Sequence, residues 1–446
     1  MQERFSRRNW LILLLFGTIG QIAWSVENMY FNLFVFETVS PSLNSITLMV
    51  QLSGVTATVA TLIAGAFSDK VGNRSKFISI GYAIWGVTVA LFGFMSPSLT
   101  QSIFGVGAQK AVTITLVAVI VGDCVMTLFG STANDACFNA WVTDNTKPSY
   151  RGTVEGVLSI LPLAAMLIVA GGFGILVSAL GYSTVFLVLG IIISASGIAG
   201  LFIIKDSDRL CKNGGFKDIF YGFKPSVIKT HKPLYLTLIV VGVYGIACQI
   251  FMPYMIIYMS TYLGFSVFEY SAVFAVAIIA GAVINLFLGK LADKNDKIKL
   301  LYIAVAIMSA GLLMMYFSKG AGKIATLLLF GVSGFVMITG YIFVSALCGA
   351  TVRDYTPEEA SGKLQGVRMI FSVLIPMLLG PTIGNAINKA RNIPLPDLSS
   401  ADVMTTQFIP APEIFLAGAI FTALIFAVIP LLHKVVKKEK EENAKN

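Results

Sequence analysis

Apolar residues run through this chain in long blocks separated by short polar stretches. Blocks of about 20 residues recur, the length a helix needs to cross the ~30 Å hydrocarbon core of a bilayer. The pattern predicts helices over 9–36, 44–67, 77–95, 112–142, 154–180, 182–204, 234–259, 268–289, 300–317, 324–352, 366–388 and 413–432. The fold class that follows is an all-α polytopic membrane protein with twelve transmembrane helices. The first apolar run is too long for a cleavable signal and lacks a small-residue cleavage site, so it is expected to remain as the first helix.

Composition agrees with that pattern. Of 446 residues, 56% are hydrophobic and 12% charged, against about 25% charged in a typical soluble domain. A soluble enzyme, a secreted disulfide scaffold and a disordered chain are excluded. The net charge of +9 is explained by where the cations sit. With the N-terminus inside, 27 of the 32 Lys and Arg fall on the inner side, including seven in the loop 205–232. Lys110, Lys319, Lys323, Lys389 and Arg391 are left outside. This asymmetry is the positive-inside pattern. It points to a cell membrane with both termini cytoplasmic, a lipid bilayer as partner and no nucleic acid; a monomer is expected. Cys124, Cys137, Cys248 and Cys348 lie in apolar segments and Cys211 in the inner loop, and His231 and His433 sit at inner membrane edges. No His/Cys cluster has metal-ligand spacing, so no metal and no cofactor are expected.

The chain repeats itself. At an offset of 224, Gly65-Ala-Phe-Ser-Asp69-Lys70 aligns with Gly289-Lys-Leu-Ala-Asp293-Lys294; at 210, residues 142–157 align with 352–367, pairing Asp144 with Asp354. Two six-helix halves follow, 1–204 and 233–446, joined by the basic loop 205–232. Parallel repeats of this sort belong to transporters whose substrate site lies between the halves near the midplane.

The run Gly65-x-x-x-Asp69-Lys70-x-Gly72-x-Arg74-x-Lys76 resembles the inner-loop signature of the major facilitator superfamily, with Lys70 where arginine is usual. In the second copy Asp296 replaces the glycine, and only Gly289 and Asp293 carry over. The resemblance implies a conformational role for this motif together with Asp144, Arg151 and Asp354. Asp69 is expected at the positive N-terminal end of a helix of the other half, near 361–366, a contact worth ~0.3–1 kcal/mol. Residues 131–144 resemble the helix-4 end of the glycoside–pentoside–hexuronide:cation symporters and sucrose-type carriers. In the melibiose-permease branch, paired acids on helix 2 help bind sodium. The matching stretch here, 56–67, has no carboxylate, so the proton is the expected coupling ion rather than sodium.

An acid inside a span is a functional candidate, because leaving it there costs at least ~2.5 kcal/mol on the insertion scale. Glu27, Asp123 and Asp135 lie well inside predicted spans, all in the first half; their repeat counterparts Phe251, Ser333 and Ser345 are not acidic. Asp135 falls near the midplane and is the expected protonation site, with Glu27 in the outer half of helix 1 as the alternative. Asp123, about 18 Å further along the helix, is expected toward the outer mouth. The polar set expected to line a substrate cavity is Gln21, Asn28, Asn32, Asn134, Asn139, Gln249, Asn285 and Ser345, with Trp24, Tyr30, Tyr254, Tyr258 and Tyr341. Amides, acids and aromatic faces suit a sugar or glycoside. Efflux of amphipathic drugs, transport of another small solute, and a nutrient sensor on the same fold remain open. A channel is disfavoured because Val241-Gly-Val-Tyr-Gly lies inside a full span, without the re-entrant loops a filter needs. No phosphate-binding Gly-x-x-x-x-Gly-Lys-[Ser/Thr] loop occurs, which argues against a primary pump. Missing His and metal clusters argue against a membrane enzyme.

Overall fold

The structure is a computed structural model that describes residues 5–146, 151–207, 221–356, 361–395 and 407–443. For Asp69, Arg151 and Asp293, among others, the description covers the backbone and not the side chain. In lipid every backbone N–H and C=O must be satisfied within the segment, and the apolar blocks accordingly form helices. They are α1 (Arg7–Val39), α2 (Leu43–Val71), α3 (Arg74–Phe92) and α4 (Ala108–Asn145). A long helical run over 151–203 follows, broken at Gly181 into α5 and α6. Gly181 has φ 78° and ψ 157°, a backbone region open essentially to glycine. The second series is α7 (Lys232–Tyr262), α8 (Val267–Lys294), α9 (Lys297–Tyr316), α10 (Lys323–Tyr355), α11 (361–391) and α12 (Glu413–Asn443).

Polar residues set the ends. Ser6, Ser42 and Asn73 accept hydrogen bonds from backbone N–H groups of the first turns of α1, α2 and α3, Asp296 does so for α9, and Ser266 with Glu269 forms a capping box on α8. These contacts satisfy the otherwise orphaned N-terminal donors. Gly72, at φ 66°, ends α2.

The chain divides into two compact units, Met1–Ile219 and Phe220–Asn446. In the first, α1 packs on α5 and α6, α2 on α4, and α3 on α4 and α6. In the second, α7 packs on α11 and α12, α8 on α10, and α9 on α10 and α12. These five pairings of the first unit thus recur in the second, shifted by six helices. The α3–α6 contact is backbone-close: a Cβ at Gly86 or Gly190 would lie 2.4 Å or less from backbone atoms of the opposite helix, the small-residue packing that lets membrane helices approach. Within the first core, Phe31 meets Phe92 edge-on at 4.2 Å and Trp24 lies 5.0 Å from Trp85. The second core joins Tyr258, Phe330 and Phe415.

Two features differ from expectation. Residues 97–104, in the expected outer loop, form a fully surface helix. The end of the expected linker folds onto the second unit: the short helix Pro225–Thr230 buries Val227 against Leu234, Leu238, Val352, Leu364 and Val367, and the Tyr235 hydroxyl donates to the Gly222 carbonyl. A single aliphatic residue at the right register secures this docking, a signal too small to mark a helix in an otherwise basic stretch.

Candidate functional site

Glu27 and Asp135 lie where α1 and α4 leave ordinary α-helical geometry, whereas Asp123 stands in the regular part of α4. Residues Glu27–Phe31 of α1 and Ser131–Phe138 of α4 are π-helical, a widened turn that recurs at functional positions. Glu27 opens the first of these segments and Asp135 lies inside the second. The widened turns of α4 also alter the azimuth between Asp123 and Asp135 from that of a uniform 3.6-residue helix.

Glu27 is joined to α2 and α4 by two hydroxyls. Ser53 Oγ donates to Glu27 Oε1 at 2.9 Å, and Thr127 Oγ1 lies 3.2 Å from the same oxygen. The two hydroxyl oxygens are 2.8 Å apart. Asp123, one helical turn before Thr127, is only 1% exposed and lies near Glu27 and Ser53. Asp123 is therefore an interior residue of the bundle beside Glu27. Rise along α4 fixes its height but not which helices flank it, and α1 and α2 cover it here. Glu27 Oε2 and Asp123 Oδ1 have no hydrogen-bond partner.

Asp135 is held differently. Ser131 Oγ donates to its Oδ2 at 3.0 Å and Asn134 Nδ2 to its Oδ1 at 3.3 Å, while Asn134 Oδ1 accepts from the buried Tyr82 hydroxyl at 2.8 Å. The Trp24 indole lies beside Asp135. Among the described residues none of the three acids forms a salt bridge. Glu27 also borders a small apolar void with Ala23, Val26, Phe31, Val89, Met126 and Phe186.

Several expected cavity residues are structural instead. Tyr30, fully buried, packs 4.9 Å from Phe173. Tyr254, also fully buried, donates to the Pro381 carbonyl and ties α7 to α11. Tyr258 is 1% exposed and stacks on Tyr262. Asn32 is buried, its amide spent on the Asn28 carbonyl, and Asn285 bridges the Gly281 and Thr339 carbonyls. Helical pattern places such residues on a span but cannot say whether the face is open or packed. Asn28, Asn139 and Ser345 are exposed, and Gln21, Trp24, Gln249 and Tyr341 half-buried.

At the other end of the first unit, the buried Arg74 pairs with Asp144 at 2.5 Å and donates to Ser68 Oγ at 3.0 Å, linking the motif to the end of α4. Asp206 receives the Ser75 N–H at 2.8 Å and its hydroxyl at 3.0 Å. In the second unit Lys297 pairs with Asp354 at 2.6 Å. The degraded second motif thus keeps its ion pair through a lysine one position before the strict repeat counterpart of Arg74, which is Ile298. The expectation for Asp69, and those for Arg151 and Asp293, concern side chains outside the described residues; Lys70 and Lys76 make no contact that bears on the acids. Ser53, Thr127, Tyr82, Lys297 and Asp206 were not singled out in the sequence. Thr127 had a signal, four residues after Asp123 on one face of α4; the α2 face bearing Ser53 had none.

The sequence model of the Major Facilitator Superfamily matches residues 10–381 and 237–446. The chain belongs to the major facilitator superfamily. It is a membrane-embedded transporter of small solutes and not an enzyme. No curated protein sequence matches it, but solved structures do. A point mutant of the nucleoside transporter NupG is similar at TM-score 0.68 and 13% identity, over 95% of this chain and 99% of that one. A bacterial homologue of the human lysosomal transporter Spinster, inward-facing and unoccupied, is similar at 0.64 and 15%, over 97% and 98%. A bacterial metal transporter is similar at 0.59 and 12%, over 97% and 99%. At these identities what is shared is the fold.

Proposed function

We propose that this transporter moves a small polyhydroxylated solute, a sugar or glycoside, by proton symport in a cell membrane with both termini cytoplasmic. The observation that carries the reading is the set of three intramembrane acids in the first unit, with no cation paired to any of them among the described residues. Burial in a low dielectric disfavours the charged form of a carboxylate, and a group that exchanges a proton during a transport cycle needs that property. The repeat counterparts are a phenylalanine and two serines, so coupling belongs to one unit. The exposed or half-buried amides and aromatics suit hydroxyl groups and a ring face.

The acids divide the work. Asp135 has donors on both oxygens, which fix its carboxyl group in place to receive a hydroxyl of the solute; the proton is assigned to the Glu27–Asp123 pair. Nucleosides share the hydroxyl-bearing ring and are what the similar NupG carries, so they join the test panel. The test is uptake into proteoliposomes of sugars, glycosides, nucleosides and cationic amphiphiles, under an imposed pH or sodium gradient. A polyhydroxylated solute should accumulate under the pH gradient alone. Accumulation of an amphiphile only, or a response to sodium only, would overturn the reading.

A further inference from the structure

Three oxygens on three helices form a closed triangle at Glu27. The edges are Ser53 Oγ to Glu27 Oε1 at 2.9 Å, Ser53 Oγ to Thr127 Oγ1 at 2.8 Å, and Thr127 Oγ1 to Glu27 Oε1 at 3.2 Å. Two edges lie within the usual O–H···O range of about 2.5–3.0 Å and the third just beyond it, and each is closed by one proton between its oxygens. Two hydroxyls bring two protons. With Glu27 ionised, one edge has no proton and sets two oxygen lone pairs against each other in the bundle interior. With Glu27 neutral the count closes: the carboxyl O–H donates to Thr127, Thr127 to Ser53, and Ser53 to Glu27.

The surroundings reinforce the count. The titratable groups that face Glu27 are Asp123, Asp135 and the Cys124 thiol, all on α4; α2 contributes the hydroxyls of Ser53, which faces Asp123 as well as Glu27, and of Thr56 beside Cys124. Among the described residues no cation balances the site, and two neighbouring carboxylates held away from bulk water disfavour each other's charge. Asp123 is 1% exposed with Oδ1 unpartnered, so ionisation of Glu27 would place a second negative charge beside it.

We infer that Glu27 is the residue that carries the coupled proton, and that Ser53 and Thr127 are positioning residues that register its protonation by closing or opening a three-helix hydrogen-bond ring. The inference rests on the proton-symport reading and deepens it. Protonation adds one proton to the Glu27 carboxylate from one side of the membrane. The new O–H donates to Thr127, and the Thr127 hydroxyl rotates from Glu27 to Ser53. Release reverses these moves, leaves the ring one proton short and exposes Glu27 to the repulsion of Asp123. Because the ring members lie on α1, α2 and α4, the proton count becomes a contact between three helices.

Infrared difference spectroscopy of the full chain in lipid nanodiscs, between acidic and alkaline buffer, reads this directly. The native protein should show the carbonyl band of a neutral carboxylic acid that disappears on alkalinisation. Glu27→Gln should lack the band; Asp123→Asn and Asp135→Asn should keep it. Isotope labelling guards against a Glu27→Gln protein that does not fold: in the native chain the band should shift with carbon-13 glutamate and not with carbon-13 aspartate. Ser53→Ala and Thr127→Val should each move the midpoint of the band by about one pH unit or more, and Ser53→Thr and Thr127→Ser should restore it. Hydroxyls that only hold the bundle together would lower thermal stability and leave the midpoint in place. A band that persists in Glu27→Gln, shifts with labelled aspartate, or keeps its midpoint in both hydroxyl deletions overturns the inference. Solute uptake indifferent to pH with the Glu27 band present would instead remove the symport reading alone.

Discussion

At the residue scale, equal chemistry carries different weight according to what surrounds it. Arg74 and Lys297 make equivalent ion pairs in the two units, yet Arg74 is buried, with its side chain 9% exposed, whereas Lys297 and Asp354 are 34% and 50% exposed. Asp144→Ala should therefore cost ~3 kcal/mol, because it strips a buried guanidinium of its carboxylate, while Asp354→Ala should cost less than ~1 kcal/mol. Thermal denaturation of both variants in the same detergent checks the difference; equal shifts would mean that burial does not set the cost. Asp135 makes a second case. If it serves the solute as a carboxylate, Asp135→Asn should weaken solute binding about 10- to 100-fold, the loss of one charge-assisted hydrogen bond. Accumulation driven by a pH gradient should survive at saturating solute. Isothermal titration beside gradient-driven uptake separates the two quantities, and loss of accumulation with unchanged affinity would return the proton to Asp135.

At the element scale, most of the fold was legible because the bilayer fixes length and composition together. All twelve predicted helices appear, and the break between 180 and 182 falls at Gly181. What the pattern could not give is the internal departure of a helix from 3.6 residues per turn. The π segments at Glu27–Phe31 and Ser131–Phe138 leave no mark in hydropathy. Tyr30, Tyr254 and Tyr258 show the same limit: a tyrosine on a span reads alike whether its face is open or packed. Close helix approach is a further property of elements and is testable there. A Cβ at Gly190 would sit 2.4 Å from the Gly86 carbonyl oxygen, whereas one at Gly331 meets nothing within 4 Å. Gly190→Ala should force α3 and α6 apart and lower the denaturation midpoint. Gly331→Ala, inside α10, should leave it unchanged or raise it, by the ~0.5–1 kcal/mol that alanine gains over glycine in a helix. A tolerated Gly190→Ala would show that the α3–α6 contact yields without cost.

At the scale of the whole molecule, a duplicated architecture carries an unduplicated chemistry. Five helix pairings of the first unit recur in the second, and so does the ion pair between the start of the third helix and the end of the fourth. The acids do not recur. The repeat is thus kept in the packing and in this ion pair and broken in the intramembrane acids, as expected if one unit handles the proton. Orientation belongs to this scale too, and the positive-inside reading, which puts 27 of the 32 Lys and Arg on one side, makes it a testable expectation. Lys110 and Lys229 are both exposed and are assigned to opposite sides. In intact cells, with Cys211 replaced by serine, a membrane-impermeant maleimide should label Lys110→Cys and not Lys229→Cys; after permeabilisation both should react. The remaining native thiols stay silent in this design, because Cys137, Cys248 and Cys348 are buried and Cys124 is only partly accessible within α4. Labelling of Lys229→Cys alone in intact cells would invert the topology, and with it the side from which Glu27 takes its proton.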